Sequence, residues 1–187
     1  MSDTATNPRR VSGGFVEVVE LAPLGMIALR ADLSDPATAK AVKAAMGLAV
    51  PGVRGMETGV DRSVGWMSPD ELLLLTPYAE VQKTIAALDK ALKGKHYLAV
   101  DVSDSRAVFR IRGTAARDVL AKLTPTDLSP EAFTPGMLRR TRTAQVAAAF
   151  WISGTDEFTL VCFRSVADYV FGLLQISAAS GGEVGLY

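Results

Sequence analysis

The sequence predicts an α+β fold built from two ferredoxin-like β-α-β-β-α halves in one compact, pseudo-symmetric unit. Three observations lead to this prediction. Short strand-like alternations are interleaved with helical apolar spacing along the 187 residues. A strand, a tight turn and a helix follow one another near the middle of the chain, at residues 106–123. A tryptophan and an Asp-Glu pair also recur about 85 residues apart, which indicates an internal repeat.

The repeat is centred on two hairpin patterns. The run W-M-S-P-D-E begins at Trp66, and the run W-I-S-G-T-D-E begins at Trp151. The tryptophans are 85 residues apart and the acidic pairs, at Asp70 and Asp156, are 86 apart. Each run precedes an amphipathic helical pattern, so the two segments should share one local structure. We therefore place the halves at residues 15–103 and 104–187, after a polar leader at 1–14 that is expected to be disordered.

Helix boundaries are marked by local signals. The first helix should begin at Asp35-Pro36 and end at Gly47, and the second should end before Gly94. Gly113-Thr114 should open a third helix, and Ser165 with Asp168 forms a variant capping box before a fourth. Strands are predicted at residues 15–21, 26–31, 64–67, 71–75, 97–102, 106–112, 143–152 and 158–163, and surface loops at 48–63 and 129–140.

Composition excludes several classes of protein. Twenty basic and 20 acidic residues cancel, which argues against a nucleic-acid partner. A lone cysteine, Cys162, rules out a disulfide framework and favours a reduced, cytoplasmic setting. No apolar run reaches the roughly 18 residues of a membrane-spanning helix, and the N-terminus is not a signal peptide. A hydrophobic content of 49% and a mean hydropathy of +0.21 suggest surface that a partner covers.

Chemistry-bearing residues form no catalytic, cofactor or metal constellation. His96 is the single histidine, and neither a G-x-S-x-G elbow nor a G-x-G-x-x-G loop occurs. Asp70 and Glu71 fall in a hairpin turn, where acidic residues are common. Asp101 and Asp127 are interpreted as turn or cap residues. We therefore predict no catalytic, cofactor-binding or metal-binding residue on this chain.

The central stretch resembles a known superfamily. It contains Asp101-x-Ser103, Gly113-x-x-Ala116 and a following Leu-x-x-Leu, in the order that resembles the folate-binding domains of aminomethyltransferases. The run D-V-S-D-S-R from Asp101, with F-R-S around Arg164, resembles more narrowly the gamma-subunit family of heterotetrameric sarcosine oxidases. Other positions that carry this narrower resemblance are Trp66, Asp70, Glu71, Leu72, Gly113, Leu120, Leu123, Asp127, Leu128, Phe133 and Gly136.

The resemblance implies a non-catalytic subunit of an oxidase complex. Such complexes demethylate sarcosine oxidatively to glycine, with hydrogen peroxide and either formaldehyde or, with folate, 5,10-methylenetetrahydrofolate. It further implies alpha, beta and delta partner subunits, with FAD, FMN, NAD and tetrahydrofolate bound on those partners. Two alternatives stay open: a stand-alone folate-binding or aminomethyltransferase-like protein in which Asp101 or Glu71 holds the pterin, and a regulatory ferredoxin-like module.

A subunit interface should use residues that the core does not need. The glycine-containing loop at 48–63, the basic segment before the long strand and the tail at 181–187 meet that description. Arginine suits such contacts because its planar guanidinium binds carboxylates in two places. The predicted interface residues are Arg54, Arg62, Arg139, Arg140, Arg142 and Tyr187.

Overall fold

The structure is a computed structural model that describes residues 8–187. Its strands are β1 (Arg10–Ser12), β2 (Glu17–Glu20), β3 (Gly25–Ala31), β4 (Met56–Thr58), β5 (Ser63–Ser68), β6 (Glu71–Thr76), β7 (Tyr97–Asp101), β8 (Arg106–Arg112), β9 (Leu138–Thr143), β10 (Val146–Gly154) and β11 (Glu157–Phe163). Its α-helices are α1 (Pro36–Met46), α2 (Val81–Ala91), α3 (Ala116–Ala121) and α4 (Ala167–Ser177). Residues 8–187 thus form two antiparallel sheets and four α-helices, which confirms the predicted α+β class.

The chain divides into two compact units. The first comprises residues 23–103, and the second combines residues 104–187 with residues 8–22. The division between residues 103 and 104 agrees with the sequence interpretation, whereas the N-terminal assignment differs. The sequence pattern predicts that residues 15–22 belong to the first half, but β2 pairs antiparallel with β8 of the second unit.

The predicted leader also differs where the structure describes it. Residues 1–7 lie outside the described part of the chain. Arg10–Ser12, in contrast, forms β1 and pairs with β2 in the register Arg10 to Glu20. Ion pairs from Arg10 to Glu20 and Asp168 hold this short strand, and local composition alone could not indicate those distant partners.

The first unit has a ferredoxin-like sheet with one added edge strand. Its strand order is β4-β5-β6-β3-β7, with every neighbouring pair antiparallel. The helices begin and end near the predicted signals: the Asp35 carboxylate accepts a hydrogen bond from the Ala37 amide at 2.8 Å, and Gly47 adopts φ 73°. The core-facing sheet residues and the helices bury Ile27, Leu29, Val42, Val64, Leu72, Leu74, Val81, Leu88 and Leu92.

The second unit repeats this topology with a different source for its fourth strand. Its order is β1-β2-β8-β11-β10-β9, and β2, from the N-terminal segment, occupies the place that β7 has in the first unit. Helix α3 spans only six residues, compared with eleven in α1. Leu128 and Phe133, from the loop after α3, are fully buried and complete this core. The Phe133 ring stacks on Phe158 at a centroid distance of 6.0 Å.

The two hairpins share one structure, as the internal repeat predicts. Their structural alignment, however, differs by one residue from the alignment that matches Trp66 with Trp151. In β5–β6 the pair Trp66–Leu72 precedes an irregularity, and in β10–β11 the pair Ile152–Phe158 does so. The equivalent positions are therefore 86 residues apart, as for the acidic pairs, and Trp151 has no structural counterpart at Trp66. Helices α2 and α4, each of eleven residues, also start 86 residues apart.

Candidate functional site

A cleft of about 590 Å³ lies in the first unit, at one end of its sheet. The end of β3, the β5–β6 turn and the start of β7 form its walls. Its lining consists of Arg30, Ala31, Asp32, Asp70, His96, Tyr97 and Leu98. The single histidine of the chain therefore lies beside two acids and one arginine. Of these, Arg30 and Asp32 precede His96 by more than 60 residues in the sequence.

Charges around this cleft are largely satisfied by one another. The Arg30 guanidinium donates to Asp70 at 2.8 Å and to Glu71 at 2.9 Å. A hydrogen bond from the Ser68 hydroxyl, at 2.6 Å, and the Arg30 charge hold the pKa of Asp70 below its ordinary value. The Asp70 carboxylate is thus ionised at neutral pH, and both acids are paired with Arg30, which suits contact with a polar or basic surface more than proton transfer.

Metal ligation finds no support in the described residues. Across residues 8–187, no group of three or more His, Cys, Asp and Glu side chains is placed to hold a metal ion. His96 is exposed, and its neighbouring acids are engaged by Arg30 and by local hydrogen bonds.

Asp101 serves the turn between β7 and β8, as the sequence suggests. Its carboxylate accepts from the Ser103 amide at 3.0 Å and from the Ser103 hydroxyl at 2.5 Å. The buried Ser103 hydroxyl in turn accepts from the Met26 amide at 2.9 Å, so the Asp-x-Ser pattern joins β7 to β3. Glu71, the other acid considered for a pterin, is 8% exposed and bound to Arg30. Both candidate acids are therefore engaged in structural contacts.

A charge cluster around a buried acid lies in the second unit, and sequence reasoning missed it. Glu20 is 2% exposed and lies between two arginines: Arg10 contacts one carboxylate oxygen at 2.5 Å, and Arg164 contacts the other at 2.6 Å. Arg164 also donates to the Arg106 carbonyl at 2.6 Å, while Arg10 reaches Asp168 at 2.7 Å. The cluster ties β1, β2, β8 and the start of α4 together. The only sequence signal was the F-R-S run at Arg164.

The same contacts explain why the predicted capping box at Ser165 is wrong. A 3₁₀ turn, Arg164–Val166, precedes α4, and no side-chain hydrogen bond caps the helix. Asp168, expected to complete the box, points instead to Arg10.

Cys162 is a core residue and not a nucleophile. It lies on the core-facing side of β11 with no exposed surface. Burial raises the pKa of its thiol to about 11, against the smaller opposite effect of Arg164 and Arg106. At neutral pH the group is therefore a protonated, inert thiol.

Two of the predicted interface arginines lie on the long segment between α1 and β5. Arg54 is exposed, in a turn where it adopts φ 60°. Arg62 instead serves the fold of its own unit: it donates to the Ala45 carbonyl at 2.6 Å and lies 3.7 Å from Glu80. The segment also contains β4, so it is more ordered than the predicted surface loop.

The remaining predicted interface residues lie in the second unit. β9 is an edge strand that carries Arg139, Arg140 and Arg142. Arg140 and Arg142 are exposed, whereas the Arg139 guanidinium lies 5.3 Å from the centre of the Phe133 ring. Tyr187 is 44% exposed, and its hydroxyl accepts from the Leu128 amide at 3.3 Å.

Backbone contacts fix the end of the tail. Asp118 on α3 is 2% exposed, and its two carboxylate oxygens accept from the amides of Leu186 and Tyr187 at 3.2 and 3.1 Å. The exposed apolar side chains of the tail are therefore presented from a defined position on the second unit.

The sequence and fold of this chain match those of one protein family. A family model described as "Sarcosine oxidase, gamma subunit family" matches residues 30–180. The chain belongs to the sarcosine oxidase gamma-subunit family. A sarcosine oxidase gamma subunit of an Arthrobacter species is 32% identical over 149 residues, which are 79% of this chain and 72% of that protein. The gamma subunit of Corynebacterium sp. strain P-1 is 30% identical over 84% of this chain and 77% of that protein.

Solved structures agree with this assignment. A chain of the heterotetrameric sarcosine oxidase from Corynebacterium sp. U-96, in complex with pyrrole 2-carboxylate, matches with a TM-score of 0.82 and 26% identity, over 92% of this chain and 88% of that one. The glycine cleavage aminomethyltransferase T from Bartonella henselae matches with a TM-score of 0.63 and 14% identity, over 87% of this chain and 46% of that one. The second match shows that the fold is shared with this aminomethyltransferase, and the family match confirms the gamma-subunit resemblance noted in the sequence.

Membrane insertion through a helix finds no candidate in residues 8–187. None of the helices there has the length and apolar character needed to cross a bilayer.

Proposed function

We propose that this chain is the non-catalytic gamma subunit of a heterotetrameric sarcosine oxidase complex. The observation that carries the proposal is the agreement over 92% of the chain, at a TM-score of 0.82, with a chain of such a complex. Identities of 30–32% to gamma subunits from two genera support the same role. We infer that the stand-alone folate-binding alternative is less well supported, because Asp101 and Glu71 are held by Ser103 and Arg30.

The proposed complex demethylates sarcosine oxidatively. Its products are glycine, hydrogen peroxide and formaldehyde, or 5,10-methylenetetrahydrofolate when tetrahydrofolate accepts the one-carbon unit. We propose alpha, beta and delta subunits as partners, and these carry FAD, FMN, NAD and tetrahydrofolate. A cytoplasmic location fits the lone, unpaired thiol of Cys162.

Three observations support a non-catalytic role for this chain. The one histidine is exposed, and of the two acids that line the same cleft, Asp70 pairs with Arg30 and Asp32 accepts from Ser34. The thiol of Cys162 is buried and its pKa is raised to about 11. The strongest charge cluster, around Glu20, ties secondary-structure elements together and leaves no carboxylate oxygen of Glu20 without an arginine. These groups stabilise a fold and provide surfaces, and none is poised for proton transfer or nucleophilic attack.

The proposed contacts with the larger subunits centre on the exposed arginines. Arg140 and Arg142 project from the edge strand β9, and Arg54 projects from a turn of the first unit. Arg139 and Arg62 belong to the same surfaces but contribute mainly through packing and local hydrogen bonds. Tyr187 is included because its ring is half exposed while its backbone is anchored by Asp118.

Co-expression tests the proposal. The proposed partner subunits are expressed with and without this chain, and the products are compared by size-exclusion chromatography and by sarcosine-dependent peroxide formation. We expect a stable, active complex only when the chain is present. The double variant Arg140→Glu with Arg142→Glu should weaken assembly, whereas the control Lys40→Glu with Lys93→Glu, on exposed lysines of α1 and of the turn after α2, should not.

Two results would overturn the proposal. The first is a fully active oxidase that assembles without the chain. The second is a chain that stays monomeric beside those subunits and turns over a folate substrate alone, which would establish the folate-dependent alternative.

A further inference from the structure

The two units differ at one edge of their sheets. In the second unit, β2 lies between β8 and the short outer strand β1. In the first unit, the matching strand β7 is the last of its sheet, and within residues 8–187 no strand pairs with its outer side. Of the two equivalent outer positions in the repeat, the one beside β2 is therefore filled by β1, and within residues 8–187 no strand fills the one beside β7.

The register of the sheets makes this equivalence specific. Leu29 of β3 and Ile111 of β8 are equivalent, because they pair with the equivalent residues Leu72 and Phe158. Ala99 pairs with Leu29 and Val18 pairs with Ile111, so Ala99 corresponds to Val18. Two residues further along the same strands, Asp101 therefore corresponds to Glu20. In the second unit Glu20 is paired with Arg10 of β1, so Asp101 occupies the position that lies opposite Arg10 there.

Backbone hydrogen bonding supports an edge that is ready to pair. The Val102 amide donates to the Met26 carbonyl at 2.8 Å, as the Leu21 amide does to the Val108 carbonyl at 2.9 Å in the second unit. Because antiparallel partners alternate, the backbone groups of Ala99 and Asp101 point away from β3. In the second unit the equivalent Glu20 carbonyl accepts from the Arg9 amide at 2.9 Å.

The side chains of β7 are also unusual for an exposed edge. Leu98 is 54% exposed and Val100 is 40% exposed, both on the face opposite the helices. Neither lysine nor proline, the residues that commonly protect an edge strand, occurs in this five-residue strand. Exposed apolar edge strands are sites of strand addition.

Charge and shape indicate what would bind there. Asp101 is exposed and corresponds to the acid that Arg10 neutralises, so a basic residue opposite it would form the equivalent ion pair. A strand antiparallel to β7 would run from Asp101 towards Tyr97, and the cleft lined by Leu98, Asp32 and Asp70 begins at that end. The binding segment is therefore extended, apolar opposite Val100, and basic at its first position.

We propose that β7 binds an extended segment of a larger oxidase subunit, which adds antiparallel to it with a basic residue opposite Asp101. The inference rests on the proposed function, since the occupant is a partner subunit. It assigns to the first unit an intersubunit strand in the position that β1 fills within the second unit.

Hydrogen exchange with proline substitution tests this proposal. In the wild-type complex, the amides of Ala99 and Asp101 should exchange at least about tenfold more slowly than in the isolated chain. Ala99→Pro removes an outward amide and leaves the pairing of β7 with β3 intact, so it should weaken assembly about tenfold or more. Ala99→Ser is the matched control, since it changes the same side chain and keeps the outward amide, and it should assemble normally.

A charge variant tests the predicted ion pair. Asp101→Asn keeps an oxygen that can accept from the Ser103 amide and removes the negative charge. We expect it to weaken assembly about fivefold, the effect of losing one partly exposed ion pair. Circular dichroism and thermal unfolding verify that each variant is folded.

The outcomes separate this inference from the proposed function. If the wild-type chain does not assemble with the large subunits, both the proposed function and this inference are wrong. If it assembles but the amides of Ala99 and Asp101 exchange as fast as in the isolated chain, the edge proposal alone is overturned. Protection already present in the isolated chain would also overturn it: dependence on concentration would identify a second copy as the occupant, and independence a segment of the chain itself.

Discussion

The two units of this chain have one topology and use it differently. In each, a helix-covered antiparallel sheet places a strand ending in an acid beside the first strand of the β-α-β-β-α order. In the second unit that acid, Glu20, is buried between Arg10 and Arg164, and β1 covers its strand. In the first unit the equivalent Asp101 is exposed and holds a turn. In a repeated fold, an acid at one position can thus stabilise one unit, while the acid at the equivalent position of the other unit is exposed and can contact a partner.

The cores differ in a related way. The first unit is completed by the eleven-residue helix α1, whereas the second has a six-residue α3 and fills the remaining space from a loop. We expect Phe133→Ala in that loop to lower the free energy of unfolding by about 3–5 kcal/mol, because the ring is fully buried against Phe150 and Phe158. Urea denaturation measures the loss. Ile176→Ala, at a position 76% exposed on α4, is the control and should change stability little. An equally small effect of Phe133→Ala would show that the loop is not part of the core.

The acidic positions can be compared directly. Glu20→Gln leaves two arginines without their buried counter-charge. It should cost about 2–3 kcal/mol, less than for a fully buried pair because the Arg10 and Arg164 side chains are 35% and 26% exposed. Asp101→Asn, the matched change in the first unit, should cost clearly less. Chemical denaturation of both variants checks the comparison, and equal losses would contradict the assigned difference between the two positions.

The side-chain cap of α1, which α3 of the second unit lacks, gives a pH-dependent contribution to stability. The hydrogen bond and charge of Lys95, together with the Ala37 amide, hold the pKa of Asp35 below its ordinary value of 3.8. A depressed pKa means that the stabilisation is complete above the unfolded value and is lost as pH falls through the folded value. The stability gap between wild type and Asp35→Ala should therefore be constant near neutral pH and shrink below about pH 4. Thermal unfolding as a function of pH measures this gap. Glu57→Ala, on an exposed edge strand, is the control, and a gap that widens in acid would contradict the assignment.

The smallest effect is expected where the two cores hold different polar atoms. Thr76 and Cys162 occupy equivalent positions at the ends of β6 and β11. Among the described residues, the buried Thr76 hydroxyl oxygen has no hydrogen-bond partner. Thr76→Val should therefore leave stability unchanged or raise it by up to about 1 kcal/mol, because it removes an unsatisfied polar group. Cys162→Val provides the comparison, and a clear loss of stability for Thr76→Val would indicate a partner for the hydroxyl.

Local signals predicted local structure well. The helix boundaries at Asp35 and Gly47, the strand at β7 and the turn role of Asp101 all follow from residues within a few positions of one another. The same holds for the two hairpins, although their equivalent register irregularities place Ile152, and not Trp151, opposite Trp66 in the repeat. The resemblance at residues 101–106 and around Arg164 predicted the family.

Pairings between distant residues could not be read from local patterns. The segment at Glu17–Glu20 alternates as a strand would in either unit, and only its pairing with β8 assigns it to the second. Glu20 became a central residue because Arg10 and Arg164, 144 positions away in the second case, converge on it. The loop containing Phe133 carried turn residues that concealed its role in the core. These contacts depend on the whole fold, which single-sequence patterns do not contain.

The most direct test of the proposed role is native mass spectrometry of the complex that co-purifies with this chain. A tag on the chain is used to purify it from cells that co-express the presumed alpha, beta and delta subunits. We predict one species that contains one copy each of this chain and of the alpha, beta and delta subunits. That species should form peroxide in the presence of sarcosine. Recovery of the tagged chain alone, while the other subunits form an active oxidase in the flow-through, would contradict the assignment of this chain as the gamma subunit.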